Sequence, residues 1–229
     1  MRNTWLLPVL VMLVAAPMFS CNHDDPFVDP PPKSGYKPLN GPRDNVLFNL
    51  QKIYNERDID RYDELLDANF VFYFSGYDVE GGLVVNPIWS RASDFCATKN
   101  MFDPNFSKPD VGPVGNIQLA LSYPTGDDKW TPITPPENHV TYAGETWYEK
   151  VVTYCLTVTA GDQQFIGCDL NASIVVRKAT VEGFPNTIWR IVVWRDDTGA
   201  RLGVPPVYHP RTGLSEVTTW GKMKTLYAE

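Results

Sequence analysis

Apolar residues recur every three or four positions in the first half of this chain, while the second half reads as strands. Val46, Leu47, Leu50, Ile53 and Tyr54 fall on one face of a helix that begins after Pro42. Asp58 offers a carboxylate cap to a second helix, whose apolar face is Ile59, Tyr62, Leu65 and Leu66. The aromatic and β-branched run Phe70-Val71-Phe72-Tyr73-Phe74 predicts a strand. Beyond Gly81-Gly82, Ser90 predicts the cap of a third helix carrying Ala92, Phe95, Cys96 and Phe102. Strand-like runs follow at 117–123, 147–158, 165–177 and 188–194, and the proline-rich, polar stretch 124–144 predicts loop. Helices first and a strand meander after is the α+β pattern, with helices on one face of an antiparallel sheet. Leu50, Leu65, Phe72 and Ile191 are the expected core, where the helices meet that sheet.

The N-terminus follows neither pattern. Arg2, an uncharged apolar run from Trp5 to Ala16 and the closing Met18-Phe19-Ser20-Cys21 have the layout of a secretory signal peptide. An apolar core of about a dozen residues is short of the roughly 20 that a membrane-spanning helix needs. Residues 1–20 resemble a bacterial lipoprotein signal, in which Cys21 carries the lipid and becomes the mature N-terminus. The other cut open to a secretory signal follows Val14-Ala15-Ala16, with Pro17 directly after it. Residues 21–42 then read as the lipidated cysteine and a tether. Six prolines and few apolar residues lie between Asn22 and Pro42, a composition that cannot bury enough surface to offset chain entropy. Extended, it would reach about 65 Å, although a terminus without a role has the same composition. The expected domain covers 43–198, and 199–229 is an extension packing on it. This places the protein in a cell envelope, lipid-anchored and facing the periplasm or the cell surface.

Charge narrows the partners. The net charge is −7, and cleavage of the signal removes Arg2, the one charged residue among the first 20. An acidic chain without Lys/Arg clusters argues against nucleic acid and against an anionic lipid surface.

The segments Tyr54-Asn55-Glu56-Arg57-Asp58-Ile59-Asp60, Leu65-Leu66-Asp67 and Phe70-Val71-Phe72 resemble the opening of nuclear transport factor 2-like domains, a superfamily that includes SnoaL-like polyketide cyclases and ketosteroid isomerases. Trp189-Arg190-Ile191-Val192-Val193-Trp194-Arg195-Asp196 is similar to its closing strand. The stretch from Trp89-Ser90-Arg91 to Asn100-Met101-Phe102, and the tail Trp220-Gly221-Lys222-Met223-Lys224, resemble parts of bacterial lipoproteins of this type. The resemblance covers about residues 43–198. It implies a cone of helices packed into a strongly curved sheet, with a pocket at the open end. Enzymes and pure binders share that fold, so it names no reaction.

An isomerase of this superfamily needs a carboxylate base on the first strand and a tyrosine on a helix. Aligning the family's Gly-Asp-Leu-Asp motif with Arg57-Asp58-Ile59-Asp60 places the acid at Phe74 and the tyrosine at Leu50. Neither can move a proton, and a shift of one residue brings only Tyr73 or Ser75 to the acid's place. Asp78, Asp169 and Glu149 remain as acid–base candidates for an isomerase, cyclase or hydrolase. His23, His139 and His209 lie in the tether and loops without ligand spacing, so no metal is expected. No G-x-S-x-G elbow, phosphate-cradling glycine loop or C-x-x-C pair occurs, and no cofactor is implied. Tyr73, Trp89, Arg91, Tyr148, Asp169 and Trp189 are the pocket candidates, an apolar lining with a polar rim suited to a small ligand. For any one of these aromatics, core is the stronger reading. Arg91 opposes the dipole of its helix, which calls for a carboxylate partner or an anion. The reading that results is a membrane-anchored, non-catalytic domain binding a small apolar ligand or a protein partner. The enzyme and a homodimeric structural module are its alternatives.

With Cys21 lipidated, Cys96, Cys155 and Cys168 are left in an oxidising compartment. A two-residue turn at Gly161-Asp162 sets Cys155 opposite Cys168, within disulfide reach, and leaves Cys96 free on its helix. Apolar alternation argues the other way. Val152, Tyr154, Leu156 and Val158 would meet Ile166, Cys168, Leu170, Ala172 and Ile174 only through a bulge or an odd-numbered loop, which would put the two cysteines on opposite faces.

Overall fold

The two helices that the periodicity predicts are α1 (Asp44–Glu56) and α2 (Ile59–Leu65). α1 buries Val46, Leu47, Leu50, Ile53 and Tyr54, and Asp58 caps α2 by accepting from the Arg61 N–H. There follow β1 (Leu66–Tyr73), the short α3 (Gly76–Glu80), β2 (Ile88–Ser90) and α4 (Arg91–Phe102), which Ser90 caps through the Ser93 N–H. The remainder is β3 (Val114–Ser122), β4 (Thr131–Ile133), β5 (Trp147–Ala160), β6 (Gln163–Ala179), β7 (Ile188–Asp196), β8 (Ser215–Val217) and α5 (Trp220–Tyr227). This computed structural model describes residues 35–80, 82, 86–109, 111–135, 142, 144–180, 187–197, 215–217 and 219–228. The signal segment, Cys21, the tether up to residue 34, His139 and His209 lie outside the described residues, as do residues 199–214 of the expected extension. No helix among the described residues is long and apolar enough to cross a membrane.

Among the described residues, all eight strands join one sheet along the path β2-β1-β7-β6-β5-β3, with β4 added to β5 and β8 to β6. The sheet is mixed, not antiparallel throughout. The β3–β5–β6–β7 stretch is antiparallel, but β1 runs parallel to β7 and β8 parallel to β6. Strands joined by a long connection are free of the hairpin constraint that enforces the antiparallel sense. Register shifts interrupt the β1/β7, β3/β5, β5/β6 and β6/β7 pairings, and each such irregularity bends its strand. The result is a curved, open sheet with α1, α2, α4 and α5 packed on its inner side. Leu50, Leu65, Phe72 and Ile191 are buried there in one core. A smaller cluster of Tyr142, Trp147, Val175, Val192 and Val193 covers part of the outer side.

Residues 36–42 belong to the domain, which moves its boundary forward from the expected Arg43. Tyr36 and Leu39 pack on the core. Asn49 of α1 takes both backbone groups of Lys37, accepting from its N–H at 2.9 Å and donating to its carbonyl at 2.8 Å. The Trp189 N–H donates to the Leu39 carbonyl at 2.9 Å. Proline content hid this packing, because two apolar side chains and a helix asparagine suffice to hold so short a segment.

The β5–β6 turn is Gly161-Asp162, with Ala160 opposite Gln163, and Cys155 and Cys168 form a disulfide. The register shifts by one between the pairs Leu156↔Gly167 and Tyr154↔Leu170. The extra residue is Asp169, at φ 58°. This bulge follows Cys168 instead of separating the cysteines, which stay together on the outer face. Beyond it Leu170, Ala172 and Ile174 turn inward with Val152 and Tyr154, whereas before it Ile166 and Cys168 stay on the outer side and Phe165 is the buried residue, so the apolar alternation holds only past the bulge. Cys96 is also disulfide-bonded, to a partner outside the described residues, which corrects the expectation of a free thiol on α4.

α4 turns inward a face that apolar spacing does not predict. Asp94, Ala97, Thr98, Met101 and Phe102 are buried, whereas Ala92 is exposed and Phe95 and Cys96 are half-buried. The buried carboxylate on this face is satisfied from α5.

Candidate functional site

α5 lies inside the cone, and the polar groups around it form the candidate site. Trp220, Met223, Lys224 and Tyr227 recur at the spacing of one helix face and are all fully buried. Thr219 caps the helix by accepting from the Lys222 N–H at 2.9 Å. Gly221 permits the close approach: a Cβ there would lie 2.6 Å from the Phe74 ring and 2.8 Å from an Asp78 carboxylate oxygen.

Three buried carboxylates hold the helix. Asp196, at the end of β7, accepts from the Gly221 N–H at 2.9 Å and from the Tyr154 hydroxyl at 3.1 Å, placing negative charge at the helix N-terminus. The Tyr154 oxygen in turn accepts from the Trp220 N–H. Asp78 accepts from the Ser75 and Thr219 hydroxyls, each at 2.8 Å. Burial pushes the Asp78 carboxyl above its ordinary range, although the bonds from Thr219 and Ser75 and the charge of Lys222 pull the other way.

Asp94 on α4 forms an ion pair with Lys224, and both side chains are 0% exposed. The Tyr62 hydroxyl donates to the second Asp94 oxygen at 2.6 Å and accepts from Lys224 Nζ at 3.1 Å. The ammonium also lies 4.6 Å from the ring centroid of Phe72, 5.0 Å from Trp194 and 5.5 Å from Tyr62. Burial, and then the Asp94 charge, raise the Tyr62 hydroxyl well above 10, so it stays a phenol. Trp220 packs edge-on against Tyr54, Tyr154 and Trp194, and its Nε1–H donates to the Tyr54 hydroxyl at 3.1 Å. The arrangement can hold charge and orient protons, and with α5 in place the Asp78, Asp94 and Asp196 side chains are buried.

The six pocket candidates do not converge. Tyr73 packs on the outer cluster, with Arg195 over its ring at 5.6 Å. Trp89 sits on β2 against Phe74 at 4.8 Å. Arg91 pairs with Asp63, so of its two expected partners it has the carboxylate. Tyr148 and Trp189 meet at 5.6 Å, under an Arg43 guanidinium that stacks 3.9 Å over the Tyr148 ring. Asp169 is the exposed bulge residue. Aromatic content marks packing on either face of a sheet, and strand alternation sends neighbouring residues to opposite sides. Among the other acid–base candidates, Glu149 accepts from Ser173 and pairs with Arg195 at 3.2 Å. Phe74 and Leu50, at the positions of the family's acid and tyrosine, belong to the apolar core. The interior groups that sequence reasoning missed are Asp94, Asp196, Tyr154 and Lys224. The spacing of Asp94, Ala97, Thr98 and Met101 on α4 mirrors that of Trp220, Met223, Lys224 and Tyr227 on α5, and that was the available signal.

No family model matches the chain, and no curated protein matches its sequence. Solved structures similar to it include a conserved protein from Planctomyces limnophilus, at TM-score 0.42 and 11% identity over 66% of this chain and 89% of that one. A nuclear transport factor 2-like protein of unknown function in nutrient uptake from Rhodospirillum rubrum aligns at TM-score 0.40 and 9% identity, over 67% and 94%. ActVI-ORFA from Streptomyces coelicolor aligns at 0.37 and 9%, over 66% and 89%. Similarity at this level transfers no residue role. The element order itself decides the architecture: two helices, a strand, α4 and a bent meander, all enclosing one inner core. The fold is an α+β cone, the arrangement that the resemblance of the sequence implies. In this instance of the fold, the inner volume is occupied by the chain's own C-terminal helix.

Asp78 provides a pH test of that interior. A carboxyl raised in the folded state contributes stability that is fully present below its unfolded value of about 3.9 and is lost as pH rises through the folded value. Wild type is therefore expected to lose stability through this group as pH rises above about 4 and through the raised Asp78 value, and Asp78→Asn to flatten that part of the profile. Urea midpoints across the range measure it. Equal slopes in both proteins would remove Asp78 as the source.

Proposed function

We propose that this chain is a non-catalytic binding domain of a bacterial cell envelope, closed on the inside by its own C-terminal helix. The observation that carries this reading is the burial of α5, since Trp220, Met223, Lys224 and Tyr227 take up the interior where a cone enzyme would hold substrate. The apolar Phe74 and Leu50 at the acid and tyrosine positions support it. A small apolar ligand would have to displace α5, whereas a protein partner can use the outside. Native mass spectrometry of the purified full chain is expected to give the mass of the protein alone, and a retained small molecule would return the ligand to the interior. A second reading draws on Asp78, the buried carboxyl with a raised pKa, as the acid of a SnoaL-like isomerase, cyclase or hydrolase. A pH-dependent turnover abolished by Asp78→Asn or by Glu149→Gln would favour that reading over the binding domain.

Export is supported by the signal layout and by the Cys155–Cys168 disulfide, because disulfides persist in oxidising compartments. The finer proposal is a lipid anchor at Cys21. The chain has four cysteines, so with Cys155 joined to Cys168 the disulfide at Cys96 belongs to the unlipidated chain, and a thioether at Cys21 would leave the Cys96 thiol free. With the anchor, labelled fatty acid enters wild type but not Cys21→Ala, the variant leaves the membrane fraction, and one thiol titrates in denatured wild type. Soluble wild type with no label and no free thiol would mean a secreted protein with a second bridge.

A further inference from the structure

The ammonium of Lys224 is enclosed by groups that come from everywhere except its own helix. Tyr62 stands on α2, Phe72 on β1, Asp94 on α4 and Trp194 on β7. Together they supply one carboxylate, one hydroxyl oxygen and three ring systems, with the nearest ring centroid at 4.6 Å and all four side chains buried. These walls stand on the body of the domain, and Lys224 is the group that α5 brings to them. A carboxylate for charge and aromatic faces for the remaining surface of the cation is the composition that recognises an organic ammonium ion. One helical turn back, Trp220 fills a second compartment walled by Tyr54 on α1, Tyr154 on β5 and Trp194.

We propose that the cone interior is an organic-ammonium site, occupied in cis by Lys224, that accepts the same group from a free amine. The ligand class is an ammonium ion on an aliphatic chain, and the Trp220 compartment adds room for an aromatic group about one helical turn away. The proposal goes beyond the binding-domain reading and does not depend on the anchor at Cys21.

Lys224→Ala in the full chain deletes the three outer methylene carbons and the ammonium, which together have the size of n-propylammonium. Thermal unfolding of this variant is measured with n-propylammonium chloride, with 1-propanol, and with sodium chloride at matched ionic strength. The expected result is a saturable rise of several degrees in Tm with n-propylammonium, little change with the other two, and loss of the selective rise in Asp94→Asn/Lys224→Ala. If Lys224→Ala does not fold in plain buffer, its refolding yield in n-propylammonium, 1-propanol and sodium chloride separates the same outcomes. Equal responses to the amine and the alcohol, or an undiminished response without the Asp94 carboxylate, would overturn the proposal. Failure of the binding-domain reading would appear separately, as turnover in wild type.

Discussion

Asp94→Ala is expected to destabilise the protein by about 3–5 kcal/mol, because it strands the buried Lys224 ammonium without its counter-charge. The Tyr62 hydroxyl loses its acceptor in the same step. Replacing both members with apolar groups of similar volume, as in Asp94→Leu/Lys224→Met, is expected to cost far less, since the desolvation of two charges disappears with them. Urea unfolding of Asp94→Leu, Lys224→Met and their double gives the coupling directly. A single variant within about 1 kcal/mol of wild type would mean that water reaches this pair in solution, and that α5 is not seated as described.

Trp220→Ala is expected to cost about 3–5 kcal/mol, in the range of large aromatic truncations in a packed core. The side chain is fully buried against three aromatic rings, and its removal also takes away the donor to the Tyr54 hydroxyl. Because α5 is short, part of the loss should appear as local release of the helix, read as faster hydrogen exchange at its own amides and on the facing turn of α4. A cost below about 1 kcal/mol would place α5 outside the core and remove the main support for a closed interior.

Short-range patterns in the chain determined α1, α2 and the long strands, along with the N-caps Asp58 and Ser90. A helix or strand face repeats within a few residues, so Val46 to Tyr54 and Phe70 to Phe74 carry that information locally. The α+β class and the core positions Leu50, Leu65, Phe72 and Ile191 followed from the same patterns, whereas it was the resemblance that put Phe74 and Leu50 at catalytic positions. The Gly161-Asp162 turn set the register that joins Cys155 to Cys168. Tertiary structure alone decided which face of α4 is inward and that α5 fills the cone. Asp94 and Lys224 lie 130 residues apart, and each reads by itself as a surface charge. Only their meeting makes burial of either tolerable, because a charge leaves water only when its partner and hydrogen bonds are already in place. The same holds for Asp169: a bulge is favoured by what the flanking residues face, and the sequence does not say which strand will bend. Tyr73, Trp89, Tyr148 and Trp189 were recognisable as packing residues, but the side of the sheet on which each packs depends on the twist and register shifts of the assembled sheet.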